Sequence, residues 1–162
     1  MVKGIILAVC LGLATHTATA GDKGFIVNIG SKHVIDNDRD YNEKNYGIGY
    51  SHYVGNNTRA VQLGVYNNSV NRWSVYVAGK FYFNEKQRVR PYFLIAIATG
   101  YENYTIVPIP ALGLDFEIIK SHKLNAMLGP LVSGTTLPVD GGGKTTEQDY
   151  GMLFAIQYEK LF

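Results

Sequence analysis

The 162-residue chain is short of cysteine, of net charge and of long apolar runs. Its one cysteine, Cys10, lies in the first twenty residues, so cleavage after Ala20 would leave neither a disulfide nor a thiolate metal site. The formal charge is only +2, with basic and acidic residues interleaved and no polybasic arm; nucleic acid is not an expected partner. Past residue 20 no apolar run reaches the ~18 residues that a membrane-spanning helix needs. Entry into a bilayer would therefore require a closed barrel, because an open sheet leaves backbone polar groups unpaired in hydrocarbon. Common catalytic signatures are missing as well: there is no Gly-x-Ser-x-Gly, no His-x-Glu-x-x-His and no His-x-Ser. Gly141-Gly142-Gly143-Lys144-Thr145 has Pro138 where a phosphate loop needs its first glycine, and no strand–helix unit surrounds it, so it reads as a flexible outer loop. No metal or cofactor is implied.

What is present points to a secreted barrel. Lys3, the apolar stretch Ile5 to Leu13 and Ala18-Thr19-Ala20 form a secretory signal peptide over residues 1–20. Val9 sits where a lipobox wants a small residue, which argues against a lipoprotein. Residues 21–162 then form one domain. The chain ends in strict alternation, with Phe154, Ile156, Tyr158 and Phe162 on one face and Ala155, Gln157 and Glu159 on the other. A strand between lipid and lumen alternates in this way. Twelve tyrosines and 18 glycines suit aromatic belts and tight turns, although an ordinary all-β secreted domain would also be rich in both.

Eight strand-like runs can be read, at 24–35, 45–54, 58–67, 73–83, 89–100, 109–119, 122–133 and 149–162. Short turns at Gly55-Asn56-Asn57, Asn84 to Arg88 and Lys120-Ser121-His122 alternate with longer polar loops, including Gly134 to Gln148. The expected fold is all-β: an eight-stranded antiparallel up-and-down transmembrane β-barrel in the outer membrane of a Gram-negative cell, with long loops outside. Pro91 to Ala98 is apolar on both faces. This implies either a packed interior or an apolar cavity for a hydrocarbon chain.

Chemistry is concentrated at the expected outer rim. His33 ends the first ascending strand, and Asn68 and Ser69 end the second. A neutral imidazole can take a proton from a serine hydroxyl, as acyl transfer requires; rim residues of these types also simply fold loops.

At these residues the sequence resembles the lipid A palmitoyltransferases of Gram-negative outer membranes, the PagP family. Asp38-Arg39-Asp40-Tyr41-Asn42-Glu43-Lys44-Asn45-Tyr46-Gly47-Ile48-Gly49 is similar to the family's first outer loop and descending strand. Gly64 to Trp73 is similar to its second loop, Ala78-Gly79 to a small pair in its fourth strand, and Val107-Pro108-Ile109-Pro110 to its Ile-Pro-Leu-Pro segment. The likeness covers about residues 30–115. It implies an acyltransferase that moves a chain from a glycerophospholipid donor to lipid A, acting as a monomer in outer-membrane lipid. The catalytic set falls on His33, Asn68 and Ser69. Asn68 replaces the family's Asp, and an amide can orient a neighbour but cannot offset an imidazolium charge; Glu43 or another acidic loop residue is the candidate substitute. Tyr41, Asn42 and Glu43 would shape the headgroup site. Phe81 aligns with the cavity floor, where its bulk implies a chain of palmitate length or shorter. Pro108 and Pro110 would interrupt strand pairing and open a lateral lipid entrance. A structural or adhesive barrel without catalysis, a lipid hydrolase and a passive channel are the competing readings.

Overall fold

The alternating runs become strands because each residue is sorted between a lipid-facing and a lumen-facing side. The computed structural model describes residues 22–34, 40–84, 87–101, 106–139 and 143–162. The strands are β1 (Lys23–Val34), β2 (Gly47–Val54), β3 (Arg59–Asn67), β4 (Trp73–Tyr82), β5 (Val89–Ala98), β6 (Val107–Ile119), β7 (His122–Val139) and β8 (Gly143–Leu161). Each pairs antiparallel with the next, and β8 closes on β1. The expected signal peptide, with Cys10, lies outside the described residues.

The sorting is clear on β4: Ser74, Tyr76, Ala78, Lys80 and Tyr82 are buried inside, while Trp73, Val75 and Val77 are exposed outside. Phe25, Ile48, Leu63, Ile95, Leu112, Leu128 and Phe154 continue the exposed apolar surface around the barrel. An apolar band of that extent suits hydrocarbon rather than water. The lower end is closed by tight turns. Gly55, Asn56 and Asn57 all adopt positive φ, at 60°, 54° and 64°, a conformation that glycine and asparagine tolerate best.

Three departures from a regular barrel shape the upper half. The long loop expected over residues 134–148 is instead mostly strand, because β7 and β8 stay paired out to Val139 and Gly143. This polar, threonine-rich ladder has no apolar alternation by which to recognise it in the sequence. Gly143, Lys144 and Thr145 of the expected flexible loop lie in β8, while Gly141 and Gly142 lie outside the described residues. Second, the β6–β7 ladder starts at Leu112 and Leu128, so Val107 to Ala111 pair with β5 but not with β7. Third, the β1–β2 ladder stops at Asn28 and Gly47. Above it, residues 41–46 run as an extended strap, tied to β1 by Ser31 N–H donating to the Glu43 carbonyl (2.9 Å) and to the β3–β4 turn by Asn42 N–H donating to the Ser69 carbonyl (2.9 Å).

The lower interior is solid. Lys80, Arg90, Lys123, Asp115 and Glu159 are all buried there. Lys80 Nζ donates to Asp115 at 2.7 Å and also to Asn125. Tyr53 donates to Glu159 at 2.7 Å and receives Lys123 Nζ at 3.0 Å, with the Tyr82 hydroxyl 3.2 Å away. Tyr82 donates to Asp115, and Ser51 to Glu159. Arg90 stacks on Tyr82, 3.5 Å from the ring centroid, and caps the lower turn through Asn57. Gly113 leaves the space that the Tyr92 ring fills. Buried charges of this kind persist only when paired and hydrogen-bonded. These side chains occupy the lower lumen beneath the cavity.

Candidate functional site: an apolar cavity above a charged plug

Above the plug the barrel opens into a cavity of about 500 Å³. The lowest lining residue on each contributing strand traces its floor. Ala78, Leu94 and Met127 make one side apolar, while Asn28, Gln62 and Gln157 make the other side polar. Asn28 accepts from Gln157 Nε2 at 2.7 Å. Higher up, Ala96, Ile109 and Leu153 form greasy walls, and Tyr66 and Tyr101 join hydroxyls at 2.9 Å near the mouth. The apolar reading of Pro91 to Ala98 is thereby accounted for: Leu94 and Ala96 point in, while Phe93, Ile95 and Ile97 alternate outward. Among the described residues no Lys, Arg, Asp or Glu lines the cavity.

A β-bulge delivers His33 to this space. Asn28 pairs with Gln157, but Gly30 pairs with Ile156, so Ile29 is an extra residue. One extra residue reverses the faces of everything beyond it. Ser31 and His33 consequently line the lumen, while Lys32 stays outside with a side chain 65% exposed. A straight β1 would have placed His33 on the face of Phe25 and Ile29.

The structure brings some of the candidate residues together and separates others. His33, Tyr41 and Ser69 all line the upper cavity. His33 stacks on Tyr41 with ring centroids 4.5 Å apart and planes 10° from parallel. Both His33 ring nitrogens are buried and neither carries a hydrogen bond, so His33 and Ser69 share a cavity without being bonded to each other. Asn68 has a different job from the one expected. Its Nδ2 donates to Ser74 Oγ and the Gly100 carbonyl, both at 2.9 Å. Its Oδ1 accepts from the N–H of Val70 at 3.0 Å and of Arg72 at 2.9 Å. All four amide positions are committed to folding the β3–β4 turn, none is left for catalysis, and the residue does not line the cavity.

Asn42 and Glu43 also serve the strap. Asn42 donates to Asn67 Oδ1 at 2.6 Å and to the Asn68 carbonyl at 3.0 Å. Glu43 pairs with Lys32 at 2.8 Å on the outer surface, and that ammonium holds its carboxyl below the usual carboxylate range. Of the three residues expected to shape a headgroup site, Tyr41 lines the cavity and Asn42 and Glu43 do not. Phe81 is not a floor residue. It alternates with buried Lys80 and Tyr82 and leans over Gly79 on the outer face. The sequence alignment placed it one step out of phase with the lumen. Pro108 and Pro110, expected before and at the strand start, lie within β6. They edge the stretch that lacks a β7 partner, and together with Pro130 they line the cavity from the side. Proline has no N–H to give a ladder, which accounts for the break. Gln62, Tyr76 and Gln157 are cavity residues that sequence reasoning missed. The available signal was a polar residue at a lumen-facing position flanked by apolar ones, as in Val61-Gln62-Leu63.

No protein-family model matches this chain, and no curated protein matches it in sequence. It is similar in structure to the N-terminal β-barrel domain of Pseudomonas aeruginosa OprF, at TM-score 0.50 and 12% identity, over 87% of this chain and 99% of that one. The chain has the fold of a small outer-membrane barrel. Pseudomonas aeruginosa OprG matches at TM-score 0.49 and 10% identity, over 90% of this chain and 98% of that one. Neisserial surface protein A matches at 0.42 and 12%, over 87% and 96%. At these identities the likeness speaks for the fold alone. None of the three is a lipid A palmitoyltransferase, so the PagP family resemblance rests on the sequence motifs.

Proposed function

We propose that this outer-membrane barrel admits one hydrocarbon chain of an outer-leaflet lipid through the unpaired upper stretch of β6, and that His33 and Ser69 transfer the chain from a glycerophospholipid to lipid A. The observation that carries the reading is an apolar cavity, closed below by a charged plug and bordered at the side by Pro108, Pro110 and Pro130. A water channel has no use for such a chamber, whereas an alkyl tail gains about 0.8 kcal/mol for each methylene it buries. In the reaction, His33 takes the proton from the attacking hydroxyl, of Ser69 or of the acceptor. The new carbon–oxygen bond forms as the donor ester bond breaks, and the imidazolium returns the proton to the departing lysophospholipid oxygen; where Ser69 is the attacker, a lipid A hydroxyl deprotonated by His33 then attacks the acyl-serine ester, and the proton returns to Ser69 Oγ as it leaves. Ligand binding would have to draw His33 and Ser69 together, as catalytic hydrogen bonds often tighten only in the complex.

A second reading is a barrel that holds lipid without transforming it. The saturated amide of Asn68 and the unbonded imidazole of His33 favour it. Mass spectrometry of lipid A from expressing cells separates the two. Transfer adds an acyl chain that disappears in Ser69→Ala and His33→Ala. Unmodified lipid A with folded protein present supports the holding barrel, and free fatty acid without modified lipid A supports a hydrolase.

A further inference from the structure

The cavity floor holds a polar group for which the protein supplies no partner. Gln62 is 1% exposed, yet neither its Nε2 nor its Oε1 makes a hydrogen bond. Gln157 Oε1 is likewise buried and unbonded, and the hydroxyl of Tyr76 beside them has Asn28 as its side-chain neighbour. All three residues line the cavity. The register places them at one level: Gln62 is opposite Ala78 on β4, two residues below Tyr76, and Asn28 links β1 to Gln157. Tyr76 passes over the inner faces of Gly64 and Gly49, so its hydroxyl reaches back towards β1. Buried polar atoms are nearly always paired, and three unpaired atoms on Gln62 and Gln157 at one end of one cavity point to something that pairs them there.

The required chemistry can be read from the atoms. Gln62 Nε2 only donates, Gln62 Oε1 and Gln157 Oε1 only accept, and Tyr76 does either. The complement both donates and accepts. It is also uncharged: Lys80, the nearest cation below, is already engaged by Asp115 and Asn125, and no charged side chain other than His33 at the mouth can titrate against the cavity among the described residues. We infer that the cavity selects an aliphatic chain whose inserted end bears a hydroxyl group, held by Gln62, Tyr76 and Gln157, with its methylenes against Leu94, Ala96 and Met127. This rests on the cavity's receiving a hydrocarbon chain, and adds to that reading an oxygenated class of chain.

The test compares 12-hydroxydodecanoate with tridecanoate, two carboxylates of equal length that differ in a terminal hydroxyl or methyl. Retention of each is measured by equilibrium dialysis against the protein in nanodiscs, with protein-free nanodiscs of the same lipid subtracted. The hydroxylated chain is expected to bind about tenfold more tightly, the usual scale for one buried hydrogen-bonding group left paired or unpaired. Gln62→Leu should reverse the preference, and Tyr76→Phe, the milder change, should reduce it about threefold. Heat-modifiable gel mobility confirms that each variant is folded. Equal retention of the two chains, tighter binding of tridecanoate by the unmodified protein, or a preference unmoved by both substitutions would overturn the hydroxyl site while leaving a lipid cavity intact. Retention of neither chain would overturn the lipid cavity along with it.

Discussion

The two halves of the lumen solve the same problem in opposite ways. Below Gln62 the interior is crowded with charge, and each of the five ionised groups has a partner in a neighbouring strand or an aromatic ring. Above it the interior is mostly apolar, partly empty, and keeps unbonded polar atoms on Gln62, Gln157 and His33. The plug has unbonded atoms of its own, on Arg90 Nε, the Tyr92 hydroxyl and Asn125 Nδ2, but they are packed among charges and rings, whereas those of Gln62 and His33 line an open cavity. The difference lies in the space beside them, and it makes the lower half a packed base and the upper half the place to test for a ligand.

The contrast is broken most forcefully from below. Lys80→Ala removes the cation between Asp115 and Asn125 and leaves buried Asp115 with Tyr82 and the more distant Lys123, 4.0 Å away; it is expected to cost about 3 kcal/mol, read as a lower urea midpoint for the barrel refolded in lipid vesicles. At the upper rim, Asn68→Asp tests whether a carboxylate is missing from catalysis or an amide is needed for the turn. The carboxylate cannot donate to the Gly100 carbonyl, so a loss of about 1 to 2 kcal/mol in the same assay is expected, with no gain in acyl transfer. Increased lipid A acylation in that variant would show that the turn accommodates a catalytic acid after all. Ala96→Phe fills the cavity from β5. It should leave stability within about 1 kcal/mol, yet reduce chain retention about tenfold; a barrel that binds lipid only on its outside would show no reduction. The smallest effect is expected for Lys32→Ala, which frees the exposed Glu43: no resolvable change in the urea midpoint near neutral pH. Because the Glu43 carboxyl is held low in the folded protein, whatever the pair contributes is present above the ordinary carboxylate pKa and lost as acid protonates it. A midpoint that dropped sharply with Lys32→Ala would promote the strap from surface tie to structural clamp.

Much of the fold was legible in the sequence because lipid on one side and lumen on the other impose a period of two, which residues such as Phe154, Gln157 and Glu159 display. The breaks in that period were not legible. Nothing in Asn28-Ile29-Gly30-Ser31 announces a bulge, since its cause is the register with β8, a partner more than a hundred residues away. The same limitation explains Phe81, where a one-residue shift in alignment exchanges inside for outside. Residues 134–148 escaped for another reason: their sequence is polar and threonine-rich and carries no apolar alternation to mark a strand. At the site, residue types could nominate His33 and Ser69 for the rim, and both do line the cavity. Whether Asn68 faced substrate or turn depended on four hydrogen-bond partners that only the folded chain brings together. Gln62 was overlooked because a lone glutamine between valine and leucine resembles any lumen-facing residue until its lack of a partner is seen.

The plug of lysines, arginine, acids and tyrosines has a meaning for the cell as well as for the fold. An envelope survives by keeping dyes, bile salts and antibiotics out, and every hollow cylinder inserted into it is a potential leak. If the barrel admits lipid from the side as proposed, a filled base would let it do so without giving small solutes a way through. Such a protein could be produced in quantity without compromising the barrier in which it sits.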